Sequence, residues 1–178
     1  MPSLTLLRHA KSSWDDTVTR DFDRPLNARG RRAAVVVGTW LKREGLTFDH
    51  IVASPAVRVI ETLEGVSEGY GQTIAPEWDK RIYLASSATL LDLVREFPAD
   101  RDHALMVGHN PGLEDLVLNL VADTGDSPLR GEVEAKYPTA AVAVLRWDGG
   151  WADVREGSAR LERFVRPRDL AEGLGPDD

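Results

Sequence analysis

The alternation of short apolar runs with longer amphipathic segments is the feature that most restricts the fold of this chain. The strand-like runs lie at residues 4–7, 51–53 and 104–107. The helix-like segments, in which apolar residues recur at helical spacing, lie at residues 29–43, 57–66, 90–97 and 113–121. Asn27 is a predicted N-cap of the first helix and Gly45 follows its end. Strands and helices in this order build a mainly parallel sheet with helices on both faces.

The pattern changes after Asp123. Residues 125–128 are loop-like, whereas 139–147 and 160–165 are β-like, with a turn at 148–150 between them. These segments predict a hairpin at the edge of the sheet. We therefore predict an α/β fold: a three-layer α/β/α sandwich with a mixed, mostly parallel central sheet. A single domain is expected over residues 1–169, and residues 170–178 are expected to form a frayed acidic tail.

The composition excludes several classes of protein. The chain has 178 residues and no cysteine, which removes disulfide frameworks, thiolate nucleophiles and Cys-based metal sites. No apolar run approaches the roughly 20 residues that span a bilayer, and a charge at Arg8 interrupts the N-terminus too early for a signal peptide. A monomeric cytoplasmic protein with no membrane partner is the expectation.

The charge is unevenly distributed. The net charge is −7, yet residues 1–60 carry 10 Lys and Arg against 6 Asp and Glu, and the remaining residues carry 12 against 23. An acidic body argues against a nucleic-acid partner. The basic first third indicates an anionic ligand, although a chance fluctuation would look the same.

Polar and cationic residues follow three of the predicted strands. The first strand runs into Arg8 and His9, the second into the segment 54–58, and the third into His109 and Asn110. Ligands of open α/β sheets bind beyond the carboxyl ends of the strands, so these segments are expected to meet in one crevice.

The second and third of these segments share a further pattern. Ser54 and Asn110 are predicted N-caps, and the prolines that follow them suit the first helical position. Helix N-termini attract anions, and Arg58, one turn into its helix, can reach back to the crevice. Guanidinium groups grip phosphate oxygens with two parallel hydrogen bonds. The sequence therefore predicts a phosphate pocket.

Other interpretations of these residues stay open at this point. Arg8 or Arg58 alone would usually be a surface residue, and His9 or His109 alone would usually be a structural histidine. A metal site would need a third ligand, and the chain has no His-x-His or His-Glu-x-x-His motif. We predict no metal and no other cofactor.

The ordered motifs resemble a known family. Arg8-His9-Ala10 is similar to the Arg-His-Gly signature of the histidine phosphatase superfamily, which includes the cofactor-dependent phosphoglycerate mutases. Ser54-Pro55-Ala56-x-Arg58 and Gly108-His109-Asn110 match its other signatures, and residues 24–30 resemble its entry into the first helix. The short chain and the segment 8–14 resemble the small SixA-like phosphohistidine phosphatases.

This resemblance implies roles for individual residues. His9 would be the nucleophile, with Arg8, Arg58 and His109 binding the transferred phosphoryl group. The substrate-binding candidates are Ser12, Arg24 and Asn110. Asp15 stands where the family usually has Asn, so a phosphate contact from that position is not expected.

The proton donor is not fixed by the resemblance. Relatives that resemble mutases carry a Glu in an insert after the third strand, and the nearest candidates here are Glu77 and Asp79. The chain lacks the length for a large lid. We predict a metal-independent phosphatase that acts through a phosphohistidine intermediate on protein phosphohistidine. The alternatives are a small-molecule phosphatase or mutase of the same superfamily, or a phosphate-binding module without catalysis.

Overall fold

The computed structural model describes residues 1–14 and 20–175, in which strands and helices alternate along most of the chain. The strands are β1 (Ser3–Arg8), β2 (His50–Ala53), β3 (Glu77–Trp78), β4 (His103–Gly108), β5 (Val142–Arg146) and β6 (Arg160–Val165). The α-helices are α1 (Ala28–Arg43), α2 (Val57–Tyr70), α3 (Ser87–Arg95), α4 (Gly112–Leu120), α5 (Pro128–Ala135) and α6 (Pro167–Leu170).

The strands form one mixed sheet in the order β3-β2-β4-β1-β5-β6. The first four strands in this order are mutually parallel, whereas β5 is antiparallel to β1 and β6 is antiparallel to β5. The predicted mixed, mostly parallel sheet and its closing hairpin are confirmed. Because β1, β2 and β4 are adjacent and parallel, their carboxyl ends meet at one edge of the sheet.

Helices cover both faces of the sheet, as the side-chain alternation of β1 shows. Leu4 and Leu6 belong to a core with α3, α4 and α5, whereas Leu7 belongs to a second core with α1 and α2. Successive strand residues point to opposite faces, so the two cores lie on opposite sides of the sheet. The predicted three-layer sandwich is confirmed.

The helix ends only partly match the predicted caps. Asn27 caps α1 by accepting a hydrogen bond from the Gly30 amide at 2.8 Å, as predicted. The predicted caps lie before the helix starts, because α2 starts after Ala56 and α4 after Pro111. Asn110 Oδ1 still accepts a hydrogen bond from the Glu114 amide in the first turn of α4 at 3.3 Å, whereas the predicted Ser54 cap of α2 is wrong. Both side chains also have partners in the site, as described below.

Helix α5 is absent from the sequence-based prediction, which treats residues 125–128 as a loop. Val133 is the one buried residue of this helix, so no apolar stripe marks it. Its start does carry a signal: the Ser127 hydroxyl accepts a hydrogen bond from the Arg130 amide at 3.2 Å, and proline occupies the first turn. Strand β5 begins at Val142 rather than at residue 139.

The C-terminal tail differs from its prediction as far as residue 175. Leu174 is only 7% exposed and packs into the core beside α1, and the Glu172 carbonyl accepts a hydrogen bond from Arg32. Leu170, Ala171 and Leu174 are therefore packed on the core, whereas Glu172 and Gly173 are exposed. Residues 176–178 lie outside the described residues. No helix in the described ranges has both the length and the apolarity to cross a membrane.

Candidate active site

The carboxyl ends of β1, β2 and β4 border a pocket of about 310 Å³. It contains the predicted nucleophile His9 and all six residues that the sequence analysis assigned to phosphoryl-group or substrate binding. Its lining is Arg8, His9, Lys11, Ser12, Trp14, Asp21, Arg24, Arg58, Leu84, His109, Asn110 and Thr139. Four of these described side chains are Lys or Arg and one is a carboxylate, so the pocket favours an anion.

His9 follows β1 and is buried. Its Nδ1 lies 2.7 Å from the Ala10 carbonyl oxygen. A carbonyl can only accept, so Nδ1 carries the proton and Nε2 keeps its lone pair. Burial, followed by the neighbouring charge of Arg8, lowers the pKa of His9 well below its usual value. The ring is therefore neutral and has a free nucleophilic nitrogen.

His109 follows β4, with its ring centroid 5.3 Å from that of His9. Its Nδ1 lies 3.3 Å from an Arg58 nitrogen, and its Nε2 lies 2.8 Å from the Ser54 hydroxyl. A guanidinium can only donate, so Nδ1 is the acceptor and Nε2–H donates to Ser54. Burial and the Arg58 charge lower the pKa of His109 to about 3. Both ring nitrogens of this neutral histidine thus have protein partners.

Arg8 and Asn110 are fixed by one backbone carbonyl. The Tyr137 carbonyl accepts from Arg8 Nη1 at 3.0 Å and from Asn110 Nδ2 at 2.9 Å. The buried Tyr137 hydroxyl donates in turn to the Leu6 carbonyl at 2.7 Å. The sequence does not predict this role of Tyr137, because every residue type has a backbone carbonyl that can accept a hydrogen bond.

Asp21 is the functional residue that sequence reasoning missed most clearly. Its carboxylate accepts from Arg58 at 3.1 Å, from Arg24 at 3.1 and 3.2 Å, and from the Tyr83 hydroxyl at 2.5 Å. Arg58 also donates to the Asp21 carbonyl at 2.7 Å. Arg58 thus makes two hydrogen bonds to Asp21, whereas the sequence predicts such a pair to phosphate oxygens. Nothing in the sequence distinguishes Asp21 from its acidic neighbours Asp15, Asp16 and Asp23.

The ionisation of Asp21 follows from these contacts. Burial alone would raise its pKa, but the hydrogen bond from Tyr83 and the charge and hydrogen bond of Arg58 lower it to about 2. The carboxylate is thus ionised at neutral pH and holds two guanidinium groups in place.

Ser12 and Trp14 contact the buried side chain of Arg24. The Ser12 hydroxyl accepts a hydrogen bond from Arg24, whose guanidinium carbon lies 3.6 Å from the centroid of the Trp14 ring. Ala10 fits the position of the family's glycine, because its φ is not positive and its amide donates to Thr62 at 2.9 Å. Asp15 lies outside the described residues.

Glu77 and Asp79, the predicted proton donors, do not line this pocket. They line a separate cavity of about 250 Å³ beside β3, and the Asp79 carboxylate is bound to Arg81 at 2.7 Å. The reason is that β3 pairs only with β2, at the edge of the sheet. Within residues 1–14 and 20–175, no group of three His, Asp or Glu side chains is arranged to hold a metal ion.

Comparisons with known proteins agree with this geometry. The family model of the histidine phosphatase superfamily (branch 1) matches residues 4–82. The uncharacterized protein Rv1276c of Mycobacterium tuberculosis (strain ATCC 25618 / H37Rv) is 34% identical over 91% of this chain and all of its own length.

Two solved structures, provisionally designated phosphohistidine phosphatase SixA, are similar over nearly their whole length. The protein from Nakamurella multipartitia is 31% identical, with a TM-score of 0.77 over 93% of this chain and 96% of its own. That from Agrobacterium tumefaciens is 28% identical, with a TM-score of 0.77 over 94% and 99%. This chain belongs to the histidine phosphatase superfamily and is SixA-like within it.

Proposed function

We propose that the chain is a metal-independent phosphatase that acts through a phosphohistidine on His9, with protein phosphohistidine as its substrate. The observation that carries the proposal is the state of His9. Its ring is neutral, its Nδ1 proton is bound to the Ala10 carbonyl, and it lies in a pocket lined with cations. A neutral imidazole nitrogen beside guanidinium groups suits in-line attack on a phosphoryl group.

The reaction proceeds in two displacements. In the first, the lone pair of His9 Nε2 forms a bond to phosphorus as the bond to the substrate's nitrogen or oxygen breaks. The leaving group keeps that electron pair and takes up a proton. In the second, water attacks the phosphohistidine, the P–Nε2 bond breaks, and inorganic phosphate leaves with His9 neutral again.

Charge compensation belongs to the residues around His9. Arg8, Arg58 and Arg24 balance the charge on the phosphoryl oxygens, and their fixed positions avoid reorganisation during the reaction. We assign His109 to the same group as a neutral neighbour of His9 that Arg58 and Ser54 hold in place. Ser12 and Asn110 complete the binding wall beside Arg24 and Arg8.

The carboxylic acids in the described lining of the pocket bear on the choice of leaving group. Asp21 is the one carboxylic acid in its described lining, and a pKa of about 2 leaves it without a proton at neutral pH. An alkoxide leaving group needs a positioned acid, whereas the nitrogen of a phosphorylated imidazole is readily protonated by solvent. This difference supports phosphohistidine over alkyl phosphates as the substrate.

The covalent step is tested on His9 itself. Wild-type enzyme quenched during turnover should carry phosphate that is acid-labile and base-stable, located on His9. Folded His9→Ala should lose both the label and the activity. His103→Ala, at the opposite end of β4, is the matched control and should keep both. Full turnover by His9→Ala, verified as folded by circular dichroism, would refute the mechanism.

The substrate is tested by steady-state kinetics. We expect kcat/KM for a phosphohistidine peptide to exceed that for phosphoglycerate or a sugar phosphate by about tenfold or more, since removing one positioned acid costs at least this much with a poor leaving group. If a sugar phosphate or phosphoglycerate is the best substrate, the small-molecule phosphatase alternative replaces this proposal.

A further inference from the structure

Two large apolar side chains stand exposed at the edge of the phosphate pocket. Trp14 is 74% exposed and Leu84 is 55% exposed, and both line the pocket. In the described part of the chain, only Met1 and Trp78 are other large apolar residues with comparable exposure. We call Trp14 and Leu84 the apolar rim.

The apolar rim is attached to the charged site. The Trp14 ring lies on the Arg24 guanidinium, which donates to Asp21 Oδ1. Leu84 follows Tyr83, whose hydroxyl donates to Asp21 Oδ2. Both rim residues thus lie next to groups that bind the two oxygens of one carboxylate at the phosphate pocket.

Leu84 adopts a backbone conformation that a leucine normally avoids. Its φ is +51°, in the left-handed region. The next residue packs tightly on α4, since a Cβ at Gly112 would lie 2.2 Å from the Ala85 carbonyl oxygen. Strained backbone of this kind concentrates at functional sites. Here it holds an exposed apolar side chain beside a cationic pocket.

We propose that the apolar rim docks on the surface of a protein substrate, against aliphatic side chains that flank the phosphorylated residue. This inference rests on the proposed function and extends it to the partner's surface. The pocket's Arg and Lys side chains complement the phosphoryl dianion, and the rim complements an apolar surface around it. A small phosphorylated molecule carries no flanking side chains for the rim to contact.

The test compares two rim variants on substrates of different size. Trp14→Ala removes the ring, and Leu84→Asn removes the apolar side chain but keeps a residue that tolerates a positive φ. The substrates are inorganic phosphoramidate and a small helical protein phosphorylated on one surface histidine between two leucines. A second form of that protein has serines in place of the leucines.

We expect each rim variant to lower kcat/KM on the leucine-flanked phosphoprotein by about tenfold, through a higher KM, as for residues at the centre of an interface. On phosphoramidate and on the serine-flanked form the loss should be about threefold or less. Trp14→Leu, which stays apolar but loses the aromatic ring over Arg24, should retain most of the activity on the leucine-flanked form. Trp78 is an exposed tryptophan outside this pocket, so Trp78→Ala is the control and should leave kcat/KM unchanged on all three substrates.

Two results would overturn the inference. Equal losses on phosphoramidate and phosphoprotein would show that the rim only supports Arg24, and no loss on either would show that it does not dock. If wild-type enzyme hydrolyses neither substrate, the proposed function fails separately. Titration calorimetry of the leucine-flanked phosphoprotein with each rim variant then decides the docking surface: unchanged affinity refutes it, and weakened affinity supports it.

Discussion

The two histidines of the pocket hold their protons on different ring nitrogens. The Ala10 carbonyl fixes the proton of His9 on Nδ1, whereas Arg58 and Ser54 fix that of His109 on Nε2. The acceptors and donors around each ring decide this assignment. His9 is thereby left with a free Nε2 lone pair, and His109 has none.

We expect this arrangement to be visible by NMR. Long-range ¹H–¹⁵N correlation spectra should show His9 as the Nδ1–H form and His109 as the Nε2–H form, because only these forms satisfy their neighbours. Burial lowers both pKa values, that of His109 to about 3, so the His109 ring should not titrate between pH 7.5 and about 5.5. The His9 ring should titrate only well below its ordinary pKa. In Arg58→Ala, Nδ1 of His109 loses its donor and the tautomers should mix. A ring that titrates at its ordinary pKa would contradict the buried, neutral site.

Topology brought together the residues that directly follow strands, and the family resemblance added Ser12 and Arg24, but neither reached Asp21 or Tyr137. Arg8, His9 and His109 stand directly after predicted strands, so topology alone brings them together. The Asp21 carboxylate accepts a hydrogen bond from Tyr83, which is 62 residues away in the sequence. The Tyr137 carbonyl accepts one from Arg8, which is 129 residues away. Such contacts depend on loop conformation, which local residue patterns do not specify.

At the scale of elements, Gly30 shows how a helix positions the loop after β1. A Cβ at this position of α1 would lie 2.1 Å from the Lys11 carbonyl oxygen, a backbone atom that cannot move freely. The same carbonyl accepts from the Asn27 amide at 3.0 Å. The start of α1 thus packs directly on the loop that carries Ser12.

Gly30→Ala should therefore destabilise the protein, although alanine favours helices. We expect the free energy of unfolding to fall by about 1–3 kcal/mol, as for other overpacked sites, and KM to rise. Gly131→Ala is the matched control, because a Cβ at this position of α5 meets open space. It should raise the free energy of unfolding by roughly 0.5–1 kcal/mol. Urea unfolding of both variants decides the point, and a stabilised Gly30→Ala would show that the contact is not tight.

The edge strand β3 determines what Glu77 and Asp79 can do. Both carboxylates line a cavity separate from the pocket of His9. Replacing either carboxylate by a side-chain amide should therefore not affect proton transfer to the leaving group. We expect Glu77→Gln and Asp79→Asn to keep kcat/KM within about threefold on an alkyl phosphate and on phosphohistidine alike. A selective loss on the alkyl phosphate would restore the acid role that the sequence indicated for them.

At the scale of the whole molecule, the layer architecture was predictable and the strand order was not. The repeated change from strand-like to helix-like patterns requires a sheet between helices, and the β-rich end after Asp123 indicated the closing hairpin. The position of β4 between β2 and β1 depends on how the crossover helices pack. Helix starts could not be predicted from the Ser-Pro pattern alone. Ser127-Pro128 forms the start of α5, whereas Ser54-Pro55 lies before the N-cap of α2. In the second case the Ser54 hydroxyl contacts His109 rather than capping the helix.

The buried neutral histidines should also make the whole fold sensitive to mild acid. In the unfolded chain a histidine titrates near 6.5, whereas folded His109 has a pKa of about 3. The unfolded state therefore binds more protons below pH 6.5, so this stability is complete above that pH and is lost as pH falls toward 3. At pH 5 the loss from His109 should be about 2 kcal/mol. Urea unfolding between pH 7.5 and 5 should show this decline in wild type and a decline smaller by about that amount in His109→Gln. Equal declines in the two proteins would mean that His109 is protonated in the folded state, and the neutral pocket would then have to be abandoned.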